Sequence, residues 1–390
     1  MTYTSFERVK AALGHKEADR VPFDLGGSVL TGMNRHTYKR LREYLGLEQK
    51  EIEIIDITQQ LALIDQDVVD RLEIDVLNCD PDPPSKMGLA TPVVEDGRYY
   101  NMTDEWGIGW KMPISGGHYF DMATHPLESA ETVGAIRDFP WPDMLDPARY
   151  ATLKQRADEK VFGQKKAYIL GRNYAGIWET ALWMNGFEKY YCDMIVEKEF
   201  CHALMDKITE LKMEYWGKAL EAVGDNVMVV SEADDLASQK SLLCSIDLYK
   251  EMVHPYHKKL FSYIKEKARS KVYIFYHTCG SCVPYLPLLI EEGVDILNPV
   301  QVNAQGIDTK ELKRDFGKDM TFWGGACDSQ HILPYGTPDQ VRDEVKRRID
   351  DLAPGGGFIF APIHNVQSDV PIANFMAMWE TMKEYGVYSE

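Results

Sequence analysis

The feature that most restricts how this chain can fold is a repeated alternation. Eight short β-branched or aromatic runs are separated by longer stretches with helical spacing. The first four runs begin near Val21-Pro-Phe-Asp-Leu-Gly, Asp75-Val-Leu-Asn-Cys, Ala167-Tyr-Ile-Leu-Gly and Asn226-Val-Met-Val-Val-Ser-Glu. The other four begin near Lys271-Val-Tyr-Ile-Phe-Tyr-His, Asp295-Ile-Leu-Asn, Met320-Thr-Phe-Trp-Gly-Gly and Gly357-Phe-Ile-Phe-Ala-Pro. Several are continuously apolar, as expected of parallel strands covered on both faces. Between them, Glu199 to Ala222 and Leu248 to Ala268 carry apolar residues at three- and four-residue spacing. Thr337-Pro338 reads as a helix start, with a hydroxyl cap and proline in the first helical position. The pattern predicts an α/β fold of the closed (β/α)8 TIM barrel type. An open doubly wound sheet is the competing arrangement, but no Gly-x-Gly-x-x-Gly follows any of the runs.

The interval from about residue 82 to 166, between the second and third runs, is too long for one helix. Asp96-Gly97 is a turn signal with alternating residues around it over 88–120, and Pro140, Pro142 and Pro147 mark an extended connector. Residues 82–147 are therefore expected to form a β-rich excursion over the barrel mouth, within one barrel domain spanning 1–390. With 390 residues, 45% of them apolar, the chain can bury such a core. The charge balance is 43 basic against 61 acidic residues, net −18, which opposes binding to nucleic acid or to an anionic membrane. There is no run of eighteen apolar residues to span a bilayer. The first ten residues lack the apolar core of a signal peptide, so a cytoplasmic location is expected. Seven cysteines scattered from Cys79 to Cys327 do not suggest a disulfide framework, and in a reducing compartment they would be core thiols or ligands.

In a parallel barrel the chemistry gathers at the carboxyl ends of the strands. The fourth run ends Ser231-Glu232-Ala233-Asp234-Asp235, the fifth Tyr276-His277-Thr278-Cys279-Gly280-Ser281-Cys282, and the sixth Asn298-Pro299-Val300-Gln301. The seventh ends Trp323-Gly324-Gly325-Ala326-Cys327-Asp328 and the eighth His364-Asn365-Val366-Gln367. His277 and Cys279 are two residues apart, which on a strand puts both side chains on one face about 7 Å apart along the chain. An imidazole and a thiolate in that relation suit one zinc ion. Cys327, Glu232, His364 and Cys282 are the candidates for a third ligand.

Each of these residues also has a plain structural reading. Free cysteines are commonly buried, a lone His-x-Cys arises by chance, and the carboxylates after the fourth run could cap a helix. Glu232 and Asp235 are nonetheless candidates for moving protons, and Asn298 for either loop fixation or substrate contact. The aromatic group Tyr174, Trp178, Trp183, Trp106 and Trp110 is either helix-on-barrel packing or an apolar wall for a small substrate.

The last third of the chain resembles the uroporphyrinogen decarboxylase superfamily. The stretches that carry the resemblance are Phe275-Tyr-His-Thr-Cys-Gly-Ser, Gly293-Val-Asp-Ile-Leu-Asn-Pro-Val-Gln, Phe322-Trp-Gly-Gly-Ala-Cys-Asp, Leu333-Pro-Tyr-Gly-Thr-Pro, Ile363-His-Asn-Val-Gln and Pro371-Ile-Ala-Asn. The superfamily fold is a (β/α)8 barrel. Its decarboxylases grip a many-carboxylate porphyrinogen with an arginine-rich segment of the type Arg-Gln-Ala-Gly-Arg-Tyr. Here the corresponding stretch is Asp24-Leu-Gly-Gly-Ser-Val-Leu-Thr-Gly, with no arginine before Arg35. The resemblance is closer to the zinc-dependent, corrinoid-linked methyltransferases, whose metal motif is His-x-Cys with a later cysteine. It implies His277, Cys279 and Cys327 as zinc ligands. Where that branch places its final cysteine, near the eighth strand, this chain has His364, which is the alternative.

The implied activity is transfer of a methyl group from a small methylated donor, such as an aryl methyl ether, to the cobalt of a corrinoid (cobalamin) carried by a partner protein. Glu232, Asp235 and His364 are the expected catalytic groups, and Tyr174, Trp178 and Asn298 the expected substrate contacts. A homodimer is a candidate assembly. The competing activities are transfer from methyl-corrinoid to a thiol or folate-like acceptor, and a metal-independent decarboxylation.

Overall fold

A computed structural model describes residues 3–388. All eight predicted runs become staves of one curved sheet. Seven are β1 (Val76–Asn78), β2 (Ala167–Leu170), β3 (Val229–Ala233), β4 (Tyr273–His277), β5 (Ile296–Asn298), β6 (Thr321–Trp323) and β7 (Phe358–Ile359), numbered along the barrel. They pair in that order, every pair parallel. Residues 21–24 supply the eighth stave: Phe23 bridges to Phe360 beyond β7 and Asp24 to Val76 of β1, both in parallel, so the sheet closes on itself. The architecture is a (β/α)8 barrel.

Strand parity divides the core into two layers. Val76, Ile169, Val229, Phe275, Ile296, Trp323 and Ile359 fill the inside of the barrel. Their alternates, among them Tyr168, Val230, Tyr276, Leu297 and Phe322, face the surrounding helices. The helix Lys198–Val223 answers them with Phe200, Leu204, Ile208, Leu211, Tyr215 and Ala219, all buried at helical spacing. The helix Pro338–Leu352 starts with a capping box between Thr337 and Gln340 and has proline at its first turn, as its sequence predicts. Parity also positions the functional end. With Phe275 inside, His277 points inward and Tyr276 outward. With Val229 inside, Ser231 points inward and Glu232 outward.

The long interval between β1 and β2 contains a four-stranded antiparallel sheet of Val94–Glu95, Tyr99–Thr103, Gly109–Pro113 and Asp121–Thr124. Its first turn is the Asp96-Gly97 pair, where Gly97 has φ +88°. Among the described residues, no helix is long and apolar enough to cross a membrane.

Candidate metal centre

His277 closes β4, and Cys279 follows where the chain leaves the barrel. The Cys279 Sγ lies 3.4 Å from His277 Nε2. Two bonds of 2.1 and 2.3 Å to one tetrahedral zinc would hold such atoms about 3.6 Å apart. His277 Nδ1 meets Asn298 Oδ1 at 2.6 Å, while the Asn298 amide nitrogen donates to the Trp323 carbonyl at 2.9 Å. That second bond fixes which end of the amide faces the ring. Nδ1 therefore carries the proton and donates, leaving the Nε2 lone pair turned toward the sulfur.

The loop beyond is pinned on both sides. The Cys279 N–H donates to Asp235 Oδ1 at 2.7 Å, and the Gly280 N–H to Gln301 Oε1 at 2.5 Å. Gly280 has φ +85°, and a Cβ there would lie 2.4 Å from the Ser238 carbonyl oxygen, so glycine alone fits this turn.

His364 comes from the loop after β7, with left-handed backbone at φ +58°. Its ring stands edge-on to that of His277, centroids 5.2 Å apart. One donor atom from each of His277, Cys279 and His364 lies within 4.8 Å of the others, a grouping that could hold a metal ion. This donor set fits zinc: two imidazoles and one thiolate, with space for a further ligand. His364 Nδ1 also accepts the Asn365 N–H at 2.8 Å. A metal would compete with that bond for Nδ1, or with the proton it leaves on Nε2. His364 is thus the candidate ligand that would have to reorganise if a metal bound.

Burial sets the electrostatics. It lowers the His277 pKa to about 3, with the charge of Arg172 adding to the effect, so the ring is neutral and its lone pair free. His364 is lowered to about 4, first by burial and then by His277. The Cys279 thiol is pushed well up by burial, then by the nearby Asp235 and Glu179 carboxyls. Only a cation would make its thiolate favourable here. Asp235 and Glu179 are themselves raised by burial, and each shares the site with other acids.

Cys279 and His364 open onto a cavity of about 800 Å³ that also contains Arg172 and Gln301. One wall is aromatic, from Trp110, Tyr174 and Trp183. Asp104 ties this wall together by accepting from Trp110 Nε1 at 2.7 Å and from the Tyr174 hydroxyl. The antiparallel sheet is thereby joined to the loop after β2.

Several expectations need correction. Cys327 is fully buried and lies outside the ligand group. Gly324 and Gly325, at φ +92° and +89°, turn the chain after β6, so Cys327 does not follow the strand direction to the rim position that the resemblance implied for it. Burial pushes its thiol up, and the charge that adds most to this is that of Glu344, on the helical layer. Cys282 is buried beside the turn and also outside the group.

Glu232 faces outward, where it accepts from Lys212 Nζ at 2.8 Å and Trp216 Nε1 at 2.6 Å. It braces the helix Lys198–Val223 against β3 and does not reach the cavity. Trp178 is fully buried against Tyr191 and is not part of the cavity wall. Asn298 orients His277 and does not line the cavity either.

Asp235 sits beside Cys279, and Tyr174 lines the cavity. Two residues of the site escaped the strand-end reading, Arg172 and Glu179, while Gln301 was read at the end of the sixth run but given no role. Applied to the third run, which ends Leu170-Gly171-Arg172, the same rule would have exposed Arg172.

Comparison with known proteins gives the family. The model describing uroporphyrinogen decarboxylase (URO-D) matches residues 165–385. The methylated-thiol–coenzyme M methyltransferase of Methanosarcina mazei is 25% identical over 217 residues, 56% of this chain and 51% of that one. The chain thus spans about half the length of that relative. The uroporphyrinogen decarboxylase of Alkalilimnicola ehrlichii is 25% identical over 294 residues, 72% of this chain and 73% of that one. Among solved structures, a methyltransferase from Methanosarcina mazei superposes with TM-score 0.63 at 18% identity, over 98% of this chain and 99% of its own. That likeness concerns the fold. The URO-D match covers more than half of the sequence, and the chain belongs to the uroporphyrinogen decarboxylase family.

Proposed function

We propose that this chain is a zinc methyltransferase that moves a methyl group from a small methylated donor, such as an aryl methyl ether, to the cobalt of a corrinoid on a partner protein. The observation that carries the reading is the convergence of His277, Cys279 and His364 donors within 4.8 Å of one another. It is supported by the relation to a protein named as a methylated-thiol methyltransferase. Zinc held by these residues would supply Lewis acidity toward the leaving atom of the donor as its bond to the methyl carbon breaks.

The chain's own groups do the rest. Asn298 keeps the His277 lone pair turned inward. Asp235 and Glu179, both raised by burial, hold a proton behind the ligands, where Asp235 accepts the Cys279 N–H. Trp110, Tyr174 and Trp183 exclude water from one side of the cavity. The excursion at 82–147 shapes the surface on which the corrinoid protein docks.

Porphyrinogen decarboxylation is disfavoured by the cavity itself. Arg172 is the only arginine or lysine among its lining residues, against Asp56 and Asp80. A substrate with many carboxylates would find one cationic partner and two repelling groups. The named relative favours a methyl thioether as the second class of donor.

The test uses purified protein and a reduced corrinoid protein. The expected result is about one zinc per chain and conversion of the Co(I) spectrum to that of methyl-Co(III) only with enzyme and methyl donor together. A methyl thioether that works where ethers fail would shift the reading to the thiol-linked branch. Protein that takes up no zinc overturns it.

A further inference from the structure

Arg172, half-buried at the cavity wall, is placed unlike the buried Lys212. Lys212 is satisfied by Glu232, whereas the Arg172 guanidinium makes no hydrogen bond to any described residue and no ion pair within 4.0 Å. Its Nε is buried and has no partner at all. Only its backbone is tethered, by the N–H donating to Ser231 Oγ at 3.1 Å. Arg172 is half-buried at the cavity wall, with its Nε shut off from water and its terminal nitrogens without protein partners, so an anion entering the cavity would find both unclaimed. It lines the same cavity as Cys279 and His364, two of the candidate ligands. It also borders the same cavity as the aromatic wall of Trp110, Tyr174 and Trp183.

We propose that Arg172 is the receptor for a single carboxylate-type oxyanion on the substrate, so that the methyl donor is a small monoanion with an apolar or aromatic body. A planar guanidinium pairs with a carboxylate through two parallel N–H···O bonds, which sets orientation as well as affinity. The anionic end would seat on Arg172, the body against the aromatic wall, and the methyl-bearing end toward Cys279 and His364. The nearby acids Asp56 and Asp80 limit the site to one negative charge. The methyl-donor part of this inference rests on the function proposed above, while the anion subsite stands without it.

The test separates the two. Benzoate and its uncharged analogue benzamide are titrated against the intact protein, with binding read from the fluorescence of the cavity tryptophans and from calorimetry. Three proteins are compared: wild type, Arg172→Gln and Cys279→Ala. Zinc content is measured independently on each. The expected result is a preference for benzoate of about tenfold or more in wild type. The preference should persist in Cys279→Ala and vanish in Arg172→Gln, whose zinc content stays at the wild-type level.

Equal binding of the two probes, absence of saturable benzoate binding, or a preference retained in Arg172→Gln would overturn the subsite. A preference that disappears only in Cys279→Ala would show that benzoate binds the metal, and would also overturn it. If none of the proteins holds zinc yet the preference follows Arg172, the subsite stands and the methyltransferase reading falls.

Discussion

At the amino end of the barrel, Asp75 is completely buried and both its oxygens are taken: by Arg8 at 2.6 Å, Arg20 at 2.7 Å and the Phe23 N–H at 2.8 Å. Arg8 is in turn held by Asp19 at 2.7 Å. At the carboxyl end, the Arg172 Nε has no partner, burial pushes the Cys279 thiol well up, and Asp235 and Glu179 are raised by burial and feel the charge of Arg172 without forming an ion pair with it. The base saturates its charges, and the mouth leaves them open. Saturated buried pairs are tolerated because each partner's desolvation is offset, whereas open ones persist where an incoming group completes them. The contrast separates charges paired within the fold, like the fully buried Asp75, from those left open at the half-buried mouth.

Substitutions at the two ends should therefore fail in different ways. The largest effect is expected at the mouth: Cys279→Ala should fall from about one zinc per chain to almost none, with loss of methyl transfer but an unchanged circular dichroism spectrum. Full zinc occupancy in that variant would break the contrast. At the base, Asp75→Ala should leave two buried arginines unpaired and cost about 3–5 kcal/mol in urea unfolding, with zinc stoichiometry intact. Glu232→Ala, which strands Lys212, should behave like the base and not like the mouth, despite its place at the end of β3.

Asn298→Ala is expected to be milder. Releasing the His277 ring should weaken zinc affinity about 10- to 100-fold, measurable by competition with a chelator, with little effect on folding. An unchanged affinity would remove Asn298 from the site.

A smaller effect concerns His257, which connects the two behaviours. Its Nε2 meets Asp234 at 2.6 Å, and Asp234 also receives the N–H groups of Trp178 and Glu179. Burial alone would lower the His257 pKa, but its bonds to Asp234 and Glu292 outweigh that and raise it from 6.5 to about 9. Its stabilising contribution is thus complete below pH 6.5 and lost as pH rises through about 9. Wild type should lose urea resistance over that interval more steeply than His257→Gln, and identical slopes would show that the pair is not charged. The smallest effect is expected from Cys327→Ser, which should leave the zinc content unchanged; a loss there would restore Cys327 as a ligand.

What could be read from the chain follows the range of the physics involved. The eight staves and the shared inward face of His277 and Cys279 come from local periodicity, because β-strand parity repeats every two residues whatever surrounds it. The same parity, read correctly, turns Glu232 outward. The reading fails where the backbone leaves the strand. Gly324 and Gly325 turn the chain on the way to Cys327, and the left-handed turn at His364 brings its ring to His277 from 87 positions away in the chain.

The sequence by itself therefore determined the barrel and one pair of candidate ligands, since both depend on spacing between near neighbours. Only the tertiary structure decided which third donor meets that pair, the isolation of Arg172 and the outward pairing of Glu232. Those outcomes depend on which distant segments meet across the rim, and on whether a buried charge finds an opposite one there. No local pattern encodes such meetings.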